Sequence, residues 1–321
     1  MLSMLIKYGK KVLLVLIMAA MILVTYPTRD KYVYADYSEN SSRQVDIVIR
    51  AGEWANETQA KPGKRFIFES NPNDINISQH GISIKDIPKD IPLRCEDNQW
   101  FISEFDINLK LAKAIAKKLD SKYGVDVNLQ YATTKNHDLN TAGRIAASCN
   151  PKIYLSVHHN AYKDDTTGYF FMCNENDYDS AVAAKKLSNS ISNNGMVPQR
   201  DNRHNTGYIG ELNEVGKSDT KICVLGEFGY FNKAEIKTIV SDKYVDYVSD
   251  KIAESLYNQL KEIKEKEIQQ VKTKTTKDVI NIARDNYRKT EKQEEVIVRI
   301  TEDSSVIENV KNDDTVIVSF K

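Results

Sequence analysis

Five polar residues stand where apolar runs stop or start. His158 and His159 close the run K-I-Y-L-S-V-H-H-N (152–160), and Glu227 closes K-I-C-V-L-G-E-F-G (221–229). Glu53 follows V-D-I-V-I-R-A-G, and Glu104 follows Ser103 at the head of another apolar pattern. Imidazole and carboxylate are the side chains that ligate divalent metals and carry protons near neutral pH. Taken singly, a strand histidine is a hydrogen-bonded rim residue and a carboxylate after a strand is a cap or an ion-pair partner. Taken together, they raise the question of whether Glu53 is a metal ligand, a surface charge or the remnant of a lost site. Side chains alternate along a strand, so His158 and His159 face opposite ways, and His159 is expected to face away from the other four.

The elements that must position these residues can be read from periodicity. Val45 to Arg50 is a short strand. Ile107, Leu111, Ile115 and Leu119 recur every fourth residue, giving a helix with one apolar stripe. Ser103 with Asp106 three residues on resembles a capping box, which puts Glu104 in the first turn. Val125, Val127 and Leu129 alternate as a strand, and a helix follows around Thr141 to Cys149. The strand ending at His158, the strand G-Y-F-F-M-C-N, a helix from Ser180 to Ile191, the strand ending at Glu227 and two closing helices complete the pattern. Strands alternating with helices predict an α/β fold: a twisted, mostly parallel sheet with helices on both faces. In such sheets functional residues gather just outside the strand ends, where Glu53, His158 and Glu227 fall. Asn232, with Glu235 three residues later, reads as a further helix cap, a structural role.

Organisation and compartment follow from composition. Lys7, Lys10 and Lys11 precede the apolar run Val12 to Val24, and Val33-Tyr34-Ala35 offers a small-residue cleavage site. Residues 1–35 therefore read as an export signal, or as an uncleaved membrane anchor through 12–24, with the remainder working outside the cytoplasm. Residues 36–44 are a polar linker, 45–265 the main domain, and 54–100 a long insertion within it carrying runs such as R-F-I-F and I-S-I that suit hairpin strands. Residues 266–321 read as a charged helical spacer and a small C-terminal β appendage built from V-I-V-R-I and T-V-I-V-S-F. The 45 basic and 45 acidic residues balance, so no nucleic-acid-binding surface is implied. Cys149 and Cys223 sit in apolar patterns as buried thiols, while a bridge between Cys95 and Cys173 stays open.

Several of these segments resemble one family. S-V-H-H-N-A resembles the S-I-H-x-N-A segment of the zinc-dependent N-acetylmuramoyl-L-alanine amidases of bacterial cell walls, the amidase-3 group. E-F-D-I-N-L resembles that family's E-K-x-x-N-L, T-A-G-R-I-A-A-S-C-N its L-x-x-R-x-x-x-A-N, and L-G-E-F-G-Y-F-N its V-E-x-G-F-x-S-N, in the family's order from about Val45 to Leu260. The resemblance implies a peptidoglycan hydrolase that cleaves the amide between N-acetylmuramic acid and the L-alanine of the stem peptide. It implies Zn²⁺ held by Glu104 and His158, with Glu227 as general base and acid. The family's remaining ligand is the histidine of D-A-G-H-G-G; here the segment is R-A-G-E-W-A, so Glu53 stands at that histidine's place and the Gly-Gly is missing.

Hydrolysing an amide at neutral pH needs a metal to activate water and a base to take its proton. Replacing one histidine ligand by a carboxylate lowers the net charge of a zinc site from about +1 to about zero, which weakens the Lewis acid and favours harder cations such as Mn²⁺. Three readings of Glu53 follow: it ligates directly, His80 from the insertion fills the place instead, or no tight metal site exists. The alternative to an enzyme is a non-catalytic homologue that binds peptidoglycan or regulates a partner hydrolase.

Overall fold

The structure, a computed structural model, describes residues 33–36, 44–54, 65–68, 86–96, 99–132, 138–161, 165–205 and 209–289. In chain order the strands β1 (Val33–Asp36), β2 (Ile47–Trp54), β3 (Arg65–Phe68), β4 (Arg94–Glu96) and β5 (Gln99–Ser103) lead into helix α1 (Glu104–Tyr123). Then follow β6 (Val127–Ala132), α2 (Leu139–Ser148), β7 (Ile153–Asn160), β8 (Phe170–Asn174), α3 (Tyr178–Ser190) and β9 (Arg203–Asn205). The last elements are α4 (Gly210–Val215), β10 (Ile222–Tyr230), α5 (Ile236–Ile239) and α6 (Asp242–Lys289).

Seven strands form the main sheet in the order β1-β6-β2-β7-β10-β8-β9. Every neighbouring pair is parallel except β8 against β10. The expected mostly parallel α/β sheet is therefore the observed one. Alternation divides its residues between two layers. Val48, Tyr154, Cys223 and Leu225 face Ala146 and Cys149 at the α2 end and Leu212 and Val215 of α4. The opposite face buries Ile47, Ile49, Ile153 and Leu155, and α1 packs on β2, β6 and β7 with its stripe Ile107, Leu111, Ile115 and Leu119 fully buried. Each such aliphatic side chain contributes roughly 1.5–3 kcal/mol.

Helix α1 begins where the sequence places it. The Ser103 hydroxyl accepts from the Asp106 backbone N–H at 3.2 Å, and Gly124 closes the helix in the left-handed region at φ 64°. Ser103 is also the last residue of β5, so the inserted segment runs into α1 without a linker. Its three strands make a separate antiparallel sheet, β3-β5-β4, in which R-F-I-F is β3. Arg94 of β4 grips Asp106 with two hydrogen bonds of 2.8 Å, and Phe66 of β3 meets Phe231, just past β10, edge to face. The insertion thus fixes the direction of the helix that carries Glu104.

All four cysteines are free; Cys95 is exposed and the other three are buried. The chain divides into two compact units, residues 1–260 and 261–321. Helix α6 continues through the charged stretch to Lys289, while the two apolar runs of the expected β appendage, the apolar run 12–24, I-S-I, His80 and His137 lie outside the described residues. Val33–Asp36, which includes the candidate cleavage site, forms the edge strand β1. Among the described residues no helix is long and apolar enough to cross a membrane.

Candidate active site

The parallel register sets the site. His158 and Glu227 are paired residues of β7 and β10, so their side chains leave the same face of the sheet side by side. One strand over, β2 loses register with β6 between Arg50 and Trp54. Within that irregularity Glu53 adopts φ 61°, a left-handed conformation that costs a non-glycine residue roughly 1–3 kcal/mol. The preceding Gly52 leaves room for the His158 ring, since a β-carbon there would lie 2.2 Å from His158 Cε1. The bend brings the Glu53 carboxylate to the histidine, with Oε1 3.7 Å from His158 Nδ1. Glu104, from the first turn of α1, puts its Oε1 3.5 Å from the same nitrogen.

Glu53, Glu104 and His158 each offer a donor atom, all within 4.8 Å of one another. Zinc bonded to such atoms at about 2.0–2.2 Å in tetrahedral geometry sets donors roughly 3.3–3.6 Å apart, close to the two separations from His158 Nδ1. Two carboxylates and an imidazole therefore fit a divalent cation in both charge and spacing.

Glu104 and His158 are held by further contacts. Asn108, one turn along α1 from Glu104, donates to Glu104 Oε1 at 3.2 Å and to the Gly52 carbonyl at 3.3 Å. Its own oxygen faces His159 Nδ1 at 2.8 Å, and the His159 backbone N–H donates to Glu104 Oε1 at 3.3 Å. His159 is thus turned under α1, on the face opposite His158. Burial, against the charge of Glu104, pushes its pKa down to about 4 and keeps it neutral.

Behind His158 lies a buried network with no counterpart in the sequence reading. Arg50, 2% exposed, donates to Glu211 of α4, which is fully buried. Tyr154 donates to the same Glu211 oxygen at 3.0 Å, and the other Glu211 oxygen faces His158 Nε2 at 3.6 Å. Burial opposes the Glu211 charge, but Arg50, His158 and Tyr154 outweigh it and bring the pKa down to about 2. Burial likewise opposes charge on His158; contacts with Glu104 and Glu211, then the charges of Glu211 and Glu227, raise its pKa to about 10. The Glu211 carboxylate and Arg50 Nη1 (3.5 Å) both face His158 Nε2, while Nδ1 faces Glu53 and Glu104.

Arg50 offered a signal in the sequence: a cation in a strand buried on both faces must find a buried anion. Nothing local identified Glu211, which is 161 residues away. Glu235 keeps the structural role expected of it, although its carboxylate accepts from the Gly168 and Tyr230 backbone N–H groups rather than closing a capping box. Asn232 accepts from the backbone of Ala234 and Glu235. His204 is exposed on β9 with Nδ1 3.7 Å from Cys173 Sγ, outside the site.

A sheet carrying carboxylates and an imidazole at the C-terminal ends of its strands defines an α/β protein with a candidate cation-binding centre. The family model described as N-acetylmuramoyl-L-alanine amidase matches residues 96–258, just over half of the 321 residues, and the chain belongs to that family. Glu104, His158, Glu211 and Glu227 lie inside the matched span; Arg50 and Glu53 precede it. Similar solved structures include an N-acetylmuramoyl-L-alanine amidase from Clostridium difficile 630 (18% identity, TM-score 0.46, 68% of this chain and 98% of that one). They also include the catalytic domain of the amidase CwlV from Bacillus (Paenibacillus) polymyxa var. colistinus (16%, 0.49, 68% and 99%) and the amidase AmiC2 of Nostoc punctiforme (19%, 0.45, 68% and 97%). No curated protein matches.

Proposed function

We propose that the protein is an exported peptidoglycan hydrolase that cleaves the amide between N-acetylmuramic acid and the L-alanine of the stem peptide. The observation that carries this reading is the meeting of Glu53, Glu104 and His158 beside Glu227 in a member of the amidase family. Glu53, Glu104 and His158 would hold Zn²⁺ or a harder divalent cation such as Mn²⁺. When bound, the cation polarises the scissile carbonyl and makes water easier to deprotonate. Glu227 takes the proton from the attacking water and returns it to the departing L-alanine nitrogen. Glu104, fixed by Asn108 and His159, and His158, fixed by Glu211, keep the donors converged through that exchange. The charged N-terminus and apolar run 12–24 support export to the cell wall, by a cleaved signal or with membrane attachment.

The test is hydrolysis of a soluble muramoyl-peptide by the protein with added Zn²⁺ or Mn²⁺, following the new α-amine on L-alanine by mass spectrometry. Cleavage at that bond, reduced at least about 100-fold in Glu227→Gln, is expected. Binding to peptidoglycan with no amine released by the unaltered protein under either metal would replace this reading with a non-catalytic binding protein, which the glutamate at position 53 would then explain.

A further inference from the structure

A cavity of about 600 Å³ opens where β7 and β10 end, lined by Asn160, Tyr230, the segment 165–167, Arg200 and Arg203. Asn160 is two residues beyond His158 and Tyr230 three beyond Glu227, so at about 3.3 Å per residue its wall begins roughly 7–10 Å from the site. The wall is braced by buried contacts. Glu235 joins the Gly168 N–H (2.8 Å) to the Tyr230 N–H (2.6 Å), and Asn232 donates to the Thr166 carbonyl at 2.7 Å.

The two arginines are held in place while staying exposed. Arg200 lies 5.6 Å from the Tyr230 ring centre and donates to the Thr167 carbonyl at 3.0 Å. It lies against Gly168, whose φ of 118° suits glycine and where a β-carbon would sit 2.5 Å from Arg200 Cγ. Arg203 lies 4.7 Å from the Phe170 ring centre. Asp165 is the one acid among the lining residues, so cationic charge prevails there. A guanidinium seated on an aromatic ring keeps a planar set of donors whose geometry matches a carboxylate.

We propose that Arg200 and Arg203 form a carboxylate-binding subsite for the second residue of the stem peptide, a deepening that rests on the amidase reading. Two peptide residues span at most about 7 Å, which carries that residue from the scissile amide to the cavity wall. Its α-carboxylate is either free, as in glutamate, or a carboxamide, as in isoglutamine, and only the free acid complements the two cations.

The experiment uses the full chain and two synthetic stem tripeptides, L-alanyl-γ-D-glutamyl-L-lysine and its isoglutaminyl counterpart. Neither contains muramic acid, so calorimetry reads binding whether or not the protein is catalytic. The acid form is expected to bind at least 10-fold tighter. In the Arg200→Gln/Arg203→Gln double variant the two peptides should bind within 2-fold of each other, with the amide form's Kd unchanged; a general structural defect would weaken both. Equal binding by the unaltered protein, no binding of either peptide, or a preference that survives the double substitution overturns the subsite. The muramoyl-peptide assay is read separately: hydrolysis without an acid preference refutes the subsite alone, and an acid preference without hydrolysis refutes the amidase reading alone.

Discussion

Two sets of arginines flank the same end of the sheet and are used in opposite ways. Arg50 of β2 is buried and committed to Glu211, whose carboxylate also meets Tyr154 and His158. Arg200 and Arg203 lie on aromatic rings at the mouth of a cavity, exposed to solvent. A buried cation repays its lost hydration only through fixed, close partners, so Arg50 serves geometry: it holds the carboxylate that orients His158. Exposed cations pay little for hydration and keep donors to offer, which suits them to binding.

That contrast can be broken most directly at Arg50. Arg50→Met leaves the Glu211 carboxylate buried without its cation and should cost about 3–5 kcal/mol in a chemical denaturation experiment. The double variant Arg50→Met/Glu211→Leu should recover most of that loss; a single variant as stable as the parent would show that the pair has no such role. Glu211→Gln tests the link from the pair to the site. It removes the charge behind His158 Nε2, and competition against a chelator should show 10- to 100-fold weaker binding of Zn²⁺ or Mn²⁺ in a variant that stays folded, an effect of roughly 10–100-fold being usual for such supporting partners. Metal affinity unchanged in a folded Glu211→Gln would remove Glu211 from the account. Arg200→Gln should have the smallest effect on folding, within about 0.5 kcal/mol of the parent, as expected for an exposed side chain. A loss of several kcal/mol there would erase the distinction between the two sets.

The sequence disclosed those parts of the molecule whose cause is local. The four-residue repeat of Ile107 to Leu119 and the Ser103 cap place α1, and with it Glu104, because both depend only on residues within a few turns. The apolar runs ending at His158 and Glu227 mark β7 and β10, and alternation separates His158 from His159. Long-range pairings were not legible. Nothing in G-E-L-N-E-V marks Glu211 as the partner of a residue on β2, and nothing in F-F-M-C-N says that β8 runs antiparallel to β10. The backbone reversal at Glu53 was also hidden, since glutamate does not ordinarily take φ 61°; a bulge in the ladder imposes it. The resemblance motif identified the position of Glu53, and the fold explains how a carboxylate there reaches His158.

Joint binding of a divalent cation by Glu53, Glu104 and His158 is the core of the proposed function. Its most direct test is the metal content of the purified protein after incubation with Zn²⁺ or Mn²⁺ and desalting, measured by mass spectrometry beside Glu53→Ala. The account predicts close to one equivalent in the unaltered protein and a loss of most of it in the variant. Equal metal in both proteins, or none in either, would contradict it.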